Sequence, residues 1–323
     1  MKFPLVSVVI PTASRPHFLH KAIESALAGM GADIEVVVIP NGSDESWKTL
    51  LHRYLNDSRV SFFPIEVGHG NVARNAGLHR ASGKYVRFLD DDDEIYPDTA
   101  VRQYEAMESH DFDLCSAAVE LVTADGRSQE IWAVPDSDDP VSATLDSKRL
   151  TLPTAHVYRR SFIERSRWSP AVDIGQDIHW AYQLCRREIS WAKVPGVAGM
   201  WRQHDGPRTS RSDSIEKIHR LTAELSFQLI HELKANSSLT NERASAAANG
   251  LWFCAHNSFY LNPRYWTEVI VRIMNQFPGT YPDVGWYRTK IGGMIHPLFF
   301  ERTMLPKRRL NRALESLREK YRN

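Results

Sequence analysis

The sequence predicts an α/β protein, a mixed sheet flanked by helices, followed by a mostly helical C-terminal region. Over the first hundred residues, short β-branched runs alternate with amphipathic segments of helix length. Some strands, such as "IEVVVI" (34–39), are continuously apolar, as in parallel sheets buried on both faces. Beyond about residue 211, apolar residues step by three and four. We therefore predict a sheet domain at 1–210 and a helical region at 211–323, with the boundary in the polar "GPRTSRSDS" stretch.

The first strand is predicted at "VSVVI" (6–10). The next segment, "PTASRPHFLHKAIESALAGMG", predicts a crossover helix, because Pro16 suits a helix start and apolar residues such as Leu19 and Ile23 follow at helical spacing. After the second strand at 34–39, the turn "PNGSDES" leads into another helix, and "RVSFFPI" (59–65) makes the third strand.

The fourth strand, "KYVRFL" (84–89), follows a glycine-rich turn and a helix in "GHGNVARNAGLHRASG" and ends on four aspartates, Asp90–Asp93. A charge run is ordinarily a solvated face. This run instead occupies the carboxyl end of a strand, where ligands of open α/β sheets bind. Hard carboxylate oxygens at such a strand end suit Mg²⁺ or Mn²⁺, which would relieve the mutual repulsion of the aspartates.

The later part of the sheet is predicted to be mixed. Strands are expected around the turn "TADGRS" between 112 and 134, and short strands with one helix between 152 and 210. That helix is expected to place Ile178, Ala181 and Cys185 on one face, together with Tyr182.

Composition limits the class of protein. The chain has 323 residues, of which 42% are hydrophobic and 24% charged, as in a globular protein. Its net charge of +1 argues against a nucleic-acid partner. Three widely spaced cysteines argue against a disulfide framework, and no apolar stretch approaches the length of a membrane span. A cytoplasmic location fits these features best.

A dinucleotide site is an alternative explanation of the glycine-rich turn. Gly68, Gly70 and Ala73 fit G-x-G-x-x-A, and Asp90 lies where a ribose-binding acid would be. However, the motif follows the third strand instead of the first, and four carboxylates replace the single acid that a ribose needs.

The chain resembles the inverting family 2 glycosyltransferases of the GT-A fold, a Rossmann-like nucleotide-diphospho-sugar transferase fold. The resemblance runs from about residue 5 to residue 210. It rests on four ordered segments: "VSVVIPTASRPHFLHKAIESAL", "EVVVIPNGSDES", "NVARNAGLHRASGKYVRFLDDDDEIYPD" and "IGQDIHW" followed by "WRQH".

The resemblance implies roles for particular residues. Asp90, Asp91 and Asp92 match the D-x-D motif, with Asp92 on a divalent metal, Mn²⁺ or Mg²⁺, and Asp90 near the ribose or uracil. Asp177 matches the catalytic base. His204 matches a residue that often completes the metal or diphosphate site.

The nucleotide side is implied in the same way. Thr12 and Arg15 match the loop after the first strand that lines the nucleotide pocket, and Arg74 matches a residue that reaches the base or phosphate. Two positions depart from the family pattern. Asn41 replaces an acid and weakens the inference of uracil, and Gln176 replaces the usual Glu before the catalytic base.

The implied function is an inverting transfer from a nucleotide-sugar, most simply a UDP-sugar, to a hydroxyl of a bacterial-type surface glycan or lipid-linked saccharide, as in polysaccharide biosynthesis. Thr154 and His156 are expected near the acceptor. Two alternatives stay open: a non-catalytic nucleotide- or carbohydrate-binding relative, and a nucleotidyltransferase.

The last segment, "FFERTMLPKRRLNRALESLREKYRN" (299–323), is a basic amphipathic helix. It pairs apolar Leu310, Leu314, Leu317 and Tyr321 with a cluster of lysine and arginine residues. Such a helix can lie on an anionic bilayer, which predicts peripheral contact through 301–323 at the inner face of a membrane. Packing on its own domain, or on a second subunit of a homo-oligomer, is an equally open alternative.

Overall fold

The structure, a computed structural model, divides into two compact units. One unit comprises Met1–Pro140 and Arg149–Arg208, and the other Val141–Lys148 and Thr209–Asn323. The division into a catalytic domain at 1–210 and a helical region at 211–323 stays a proposal. The structure describes residues 4–28, 33–146, 152–203, 215–285, 287, 289 and 292–320.

The strands of the first unit form one mixed sheet. Its strands are β1 (Val6–Thr12), β2 (Ile34–Pro40), β3 (Val60–Phe62), β4 (Tyr85–Phe88), β5 (Glu94–Ile95), β6 (Leu114–Val122), β7 (Ser128–Trp132), β8 (His156–Arg159) and β9 (Trp191–Arg202). Their order is β3-β2-β1-β4-β8-β6-β9-β5, with β7 paired to β6. The first four strands are parallel, β8 runs antiparallel to β4 and β6, and β6 and β9 are parallel. The predicted mixed sheet is therefore confirmed.

Helices connect and cover these strands. The helices are α1 (Pro16–Leu27), α2 (Leu51–Tyr54), α3 (Gly70–Arg80), α4 (Pro97–Ser109), α5 (Pro140–Leu145), α6 (Arg160–Ile163), α7 (Gln176–Leu184), α8 (Ile215–Ala235), α9 (Asn241–Ser258), α10 (Pro263–Gln276) and α11 (Pro297–Lys320). Helix α1 begins at Pro16, as predicted, because proline lacks the N–H that a first helical turn leaves without a partner.

Several elements differ from the sequence predictions. Helix α4 and strand β5 were not predicted, although Pro97 and Asp98 are ordinary helix-start residues. Strand β3 is shorter than predicted. On α7, Trp180 and Leu184 are buried, whereas Ile178 and Ala181, predicted on the inner face, are only partly buried. Tyr182 and Cys185 are buried as predicted, so the inner face of α7 is formed by Trp180, Tyr182, Leu184 and Cys185.

The two faces of the sheet have separate apolar cores. Because side chains alternate along a strand, Val8 and Val36 pack under α1 and α4, whereas Val9 and Val37 pack under α3 and α7. Gly77 of α3 lies so close to the sheet that an added Cβ would meet Val9 Cγ1 at 2.2 Å. This close approach, which also involves Ile39 of β2, fixes α3 over β1 and β2.

The second unit is built from helices. In α8, Leu225 and Leu229 are buried as predicted, but Ile215 is 41% exposed. Glu301 of α11 is fully buried and has two side-chain partners, His256 and Arg308. Its Oε1 lies 2.6 Å from His256 Nδ1, and Arg308 Nη1 donates to Oε2 at 2.7 Å. This polar cluster and the contact of Phe300 with Tyr287 form the inner side of α11.

We expect the second unit to become less stable as the pH falls, because of His219. This histidine lies 2.6 Å from Ser258 Oγ, and burial lowers its pKa to about 4. Since an unfolded histidine titrates near pH 6.5, the unfolded chain binds more protons below that pH. Stability that is complete above pH 6.5 should then be lost between pH 6.5 and 4, by up to about 3 kcal/mol.

Urea unfolding at pH 7 and pH 4.5 measures this loss in wild-type, His219→Gln and His296→Gln proteins. Exposed His296 is the matched control in the same unit. The pH-dependent loss should shrink in His219→Gln and persist in His296→Gln. An unchanged loss in His219→Gln would contradict the assignment.

Candidate functional site

The carboxyl ends of β2, β1 and β4 lie side by side and carry polar side chains. Asn41 follows β2 and donates to the carbonyl of Thr12 from its backbone nitrogen at 2.9 Å and from Nδ2 at 2.8 Å. Thr12, at the end of β1, donates from Oγ1 to Asp91 Oδ2 at 2.6 Å. The parallel order therefore joins three stretches that are far apart in sequence into one polar edge.

Arg15 crosses from the loop after β1 to the aspartates after β4. Its Nη1 donates to Asp92 Oδ2 at 2.5 Å, and its Nη2 lies 2.6 Å from Asp91 Oδ1 in an ion pair outside hydrogen-bond geometry. The preceding residue, Ser14, has a φ of 59°, a left-handed conformation that turns the chain towards these carboxylates. One guanidinium therefore compensates two adjacent negative charges.

Burial shapes the electrostatics of the aspartate run. It raises the pKa of fully buried Asp91 to about 7, although Arg15 and Thr12 favour the charged form. Asp93 is also buried, accepting from Thr154 Oγ1 at 3.0 Å and from the backbone nitrogen of Arg202 at 3.1 Å. Burial, together with Asp92 and Asp90, raises the pKa of Asp93. Asp93 therefore ties the run to its supporting elements.

Arg74 of α3 connects the aspartate run to the start of α7. Its Nη2 donates to Asp90 Oδ1 at 2.6 Å, and its Nη1 donates to Gln176 Oε1 at 2.8 Å. Its guanidinium also lies 4.8 Å from the ring centroid of Trp168. Two regions that are about a hundred residues apart in sequence therefore share one cation.

Asp177 lies in the first turn of α7, next to Gln176. Gly175 caps the helix in a left-handed conformation with φ 71°. Burial raises the pKa of Asp177, and the charge of Asp90 raises it further, whereas the backbone N–H of Ile178 and the charge of Arg74 lower it. The side chain thus combines a partly exposed position with a weakly solvated carboxylate.

The loop before α7 is held by asparagines of α3. Asn75 Nδ2 donates to the carbonyl of Trp168, and the nitrogen of Trp168 donates back to Asn75 Oδ1, both at 2.8 Å. Asn71 Nδ2 donates to the carbonyl of Ser169 at 2.7 Å. Trp168 in turn stacks on Trp180, with ring centroids 4.5 Å apart. Helix α3 therefore positions the segment that leads to Asp177.

His204, Thr154 and His156 were also predicted near the site. His204 lies outside the residues that the structure describes. Thr154 and His156, expected near the acceptor, are 1% and 2% exposed. Thr154 contacts Asp93, and His156 Nδ1 lies 2.8 Å from Ser116 Oγ, so both are bound within the protein. Their expected place near the acceptor stays a prediction.

A sequence model of glycosyl transferase family 2 matches residues 7–166. This stretch is a family 2 glycosyltransferase domain. An "Uncharacterized glycosyltransferase" of Rickettsia bellii is 32% identical over 125 residues, 39% of this chain and 18% of that protein. "Succinoglycan biosynthesis protein ExoO" of Rhizobium meliloti is 28% identical over 189 residues, 54% of each chain. The chain thus matches from about a fifth to about half of these relatives' length.

Solved structures share the fold of the glycosyltransferase domain. S. aureus TarS 1-349 in complex with UDP-GlcNAc superposes with a TM-score of 0.64 at 17% identity, covering 85% of this chain and 82% of that one. The mannosyltransferase PcManGT from Pyrobaculum calidifontis, in complex with GDP-Man and Mn²⁺, gives a TM-score of 0.51 at 14% identity, covering 94% and 88%. At these identities the likeness establishes the GT-A fold alone.

The carboxylates of the glycosyltransferase domain fit a divalent cation. The part of the chain that the structure describes has no group of three or more His, Cys, Asp or Glu side chains arranged to hold a metal. A complete protein cage is not required, because Mg²⁺ commonly takes one or two carboxylates and fills its shell with water and substrate phosphates. Asp90 and Asp92 offer such oxygens at the edge of the sheet, and their present partners are the cations Arg74 and Arg15.

Sequence reasoning missed several residues that hold the site of the glycosyltransferase domain together. They are Asn71, Asn75, Trp168, Gln176 in its contact with Arg74, and Arg202, whose Nη2 donates to Glu94 Oε1 at 2.5 Å. The "NVARNAG" segment offered one signal. Asparagine is a poor helix former, and two in one short helix indicate side chains with specific partners.

Proposed function

We propose that the chain is an inverting glycosyltransferase that moves a sugar from a nucleotide-sugar to a hydroxyl of a surface glycan or lipid-linked saccharide. The observation that carries the proposal is the contact of Arg74 with both Asp90 and Gln176. It sets a carboxylate edge suited to a metal–diphosphate beside Asp177, a carboxylate with a raised pKa. The family match and the fold agree with this reading.

The donor side would use the edge formed by β1, β2 and β4. Asp92, with His204 as a second candidate ligand, would hold Mn²⁺ or Mg²⁺. The metal would supply charge neutralisation for the leaving diphosphate. Arg15 and Arg74, which lie on these carboxylates, are placed to bind phosphate oxygens as well. Thr12, Asn41, Asp90 and Asp91 would line the nucleoside pocket.

The acceptor side would use Asp177 as general base. Its raised pKa makes the carboxylate a stronger proton acceptor than a fully solvated aspartate. It would take the proton of the acceptor hydroxyl as the oxygen attacks the anomeric carbon, while the bond to the nucleoside diphosphate breaks. A single displacement inverts the configuration of that carbon. Gln176 stands where the family usually has Glu, and it contacts Arg74. Because Gln176 is neutral, it would leave the positive charge of Arg74 less compensated and better able to attract the donor phosphates.

A UDP-sugar is supported by one structural neighbour and by the hydrogen bonding of Asn41. TarS is described with UDP-GlcNAc, whereas PcManGT is described with GDP-Man. Asn41 Nδ2 donates to the carbonyl of Thr12, and Asn41 Oδ1 can therefore accept a hydrogen bond from a base edge. A uracil N3–H is a suitable donor to that atom. The acceptor is proposed from ExoO, which is named for succinoglycan biosynthesis.

A panel of nucleotide-sugars tests the proposal. Thermal unfolding and nucleotide release are measured with UDP-, GDP-, dTDP- and CMP-sugars, each with and without Mn²⁺. We expect the sugars of one nucleotide to raise the unfolding temperature and that nucleotide to be released during transfer. Both effects should require Mn²⁺. Binding without any release would favour a non-catalytic relative. Pyrophosphate release from a nucleoside triphosphate and a sugar phosphate would favour a nucleotidyltransferase.

A further inference from the structure

The outer face of α11 in the second unit is apolar. Phe299, Leu310 and Leu314 are 63%, 61% and 46% exposed, and Pro306 between them is exposed as well. At 3.6 residues per turn these four positions fall within an arc of roughly 80° on one side of the helix. Met294, in the turn before α11, is 85% exposed. Single exposed apolar side chains are common, whereas several along one face of a helix form a patch of the kind that marks an interaction surface.

The opposite side of α11 packs on its own unit, so the apolar stripe formed by Phe299, Pro306, Leu310 and Leu314 faces outward. Glu301 and Arg308 lie on that side and bind each other, together with His256 of α9. Arg308 Nη1 also donates to the carbonyl of His256 at 2.7 Å. The helix is therefore anchored within its unit by a polar cluster around buried Glu301. Its orientation leaves the stripe outside.

Cations flank the apolar stripe on both edges. Helical geometry places exposed Arg302 and Arg309 on one edge and exposed Lys307 on the other. Residues 297–314 include five basic side chains and one acidic one, Glu301, which is buried. An apolar stripe between two cationic edges complements a surface that is apolar inside and anionic at its headgroups.

We propose that the outer face of α11 is a docking surface for an anionic lipid bilayer. Phe299, Leu310 and Leu314 would enter the interface between headgroups and acyl chains, and the flanking cations would contact lipid phosphates. No helix in the described part of the chain is long and apolar enough to span a membrane, so the contact is one of lying on the surface. The inference goes beyond the proposed transfer reaction and does not depend on it.

Sedimentation with lipid vesicles tests the surface in the full chain. Phosphatidylcholine vesicles with and without phosphatidylglycerol are compared at low and high salt. We expect binding to the anionic vesicles, weakened by salt, and a partition coefficient at least about tenfold lower for the Leu310→Glu/Leu314→Glu variant. The Lys307→Gln/Arg309→Gln variant should lose the preference for phosphatidylglycerol.

Leu55→Glu/Ile131→Glu is the matched control. It makes the same charge change at exposed apolar residues of the first unit, which are 75% and 54% exposed. This control should bind vesicles as the wild type does. Circular dichroism and nucleotide-sugar binding, unchanged in all variants, separate a failure of the surface from a failure of the proposed function.

Two results would overturn the proposal. One is equal partition of wild-type and Leu310→Glu/Leu314→Glu proteins. The other is a wild-type dimer in sedimentation velocity that becomes monomeric in that variant, with no vesicle binding in either. The second result would assign the stripe to another copy of the chain.

Discussion

Replacing Asp177 by asparagine is expected to lower the rate of sugar transfer at least about a hundredfold while nucleotide-sugar affinity stays nearly unchanged. Asparagine keeps the size of the side chain and an oxygen for the backbone N–H of Ile178, but it cannot accept the proton of an attacking hydroxyl. The change should therefore affect the chemical step alone. Steady-state transfer rates and calorimetric binding of the donor measure the two quantities.

Asp173→Asn is the matched control for this prediction. Asp173 lies four residues earlier, and its side chain is 87% exposed. Its replacement should leave the transfer rate within about twofold of the wild type, because its carboxylate is exposed, its contact with His69 is a 3.5 Å surface pair and its backbone carbonyl is retained. The wild-type rate should rise with pH through the raised pKa of Asp177, and this rise should disappear in Asp177→Asn. Near-normal turnover by Asp177→Asn would remove Asp177 as the base.

Replacing Asp92 by alanine should abolish metal-dependent donor binding and transfer together. Asp92 is the proposed metal ligand, and loss even of an outer partner of a metal site commonly costs about ten- to a hundredfold in affinity or activity. We expect the loss for Asp92→Ala to be at least that large. Calorimetry of the donor with and without Mn²⁺ measures the metal-dependent part directly.

The control for Asp92→Ala is Asp98→Ala, which removes an exposed carboxylate from the same segment, at the start of α4. It should retain Mn²⁺-dependent binding. The ion pair of Asp92 with half-buried Arg15 is also lost in Asp92→Ala, so thermal unfolding is recorded for both variants. Full Mn²⁺-dependent donor binding by a folded Asp92→Ala protein would contradict the metal assignment.

The central strands and the place of the aspartate run could be predicted because both follow from local pattern. Apolar continuity in β1 and β2 marks strands buried on both faces, and four carboxylates after β4 mark its end. Helix α4 has good local signals too, since Pro97 and Asp98 are ordinary helix-start residues. The aromatic face of α7 is different, since Trp180 is inward where Trp168, Phe88 and Tyr158 of distant segments pack against it.

The organisation of the site depends on contacts between distant segments. The sequence indicates Asp90, Arg74 and Asp177 separately, through a family resemblance. It contains no signal that Arg74 contacts both Asp90 and Gln176, or that Asn75 and Trp168 bind each other. Such contacts arise when α3 is fixed over the sheet by the close approach at Gly77.

By itself, the sequence determined the α/β class, the mixed sheet, the carboxylates at a strand end and the family 2 glycosyltransferase domain, because periodicity and motif order are properties of the chain. Only the tertiary structure decided which side of α11 is covered. In α11 the periodicity shows one apolar and one charged side, and an apolar side is ordinarily the buried one. Here Glu301 and Arg308 satisfy each other inside, so the charged side is buried and the leucines are left outside.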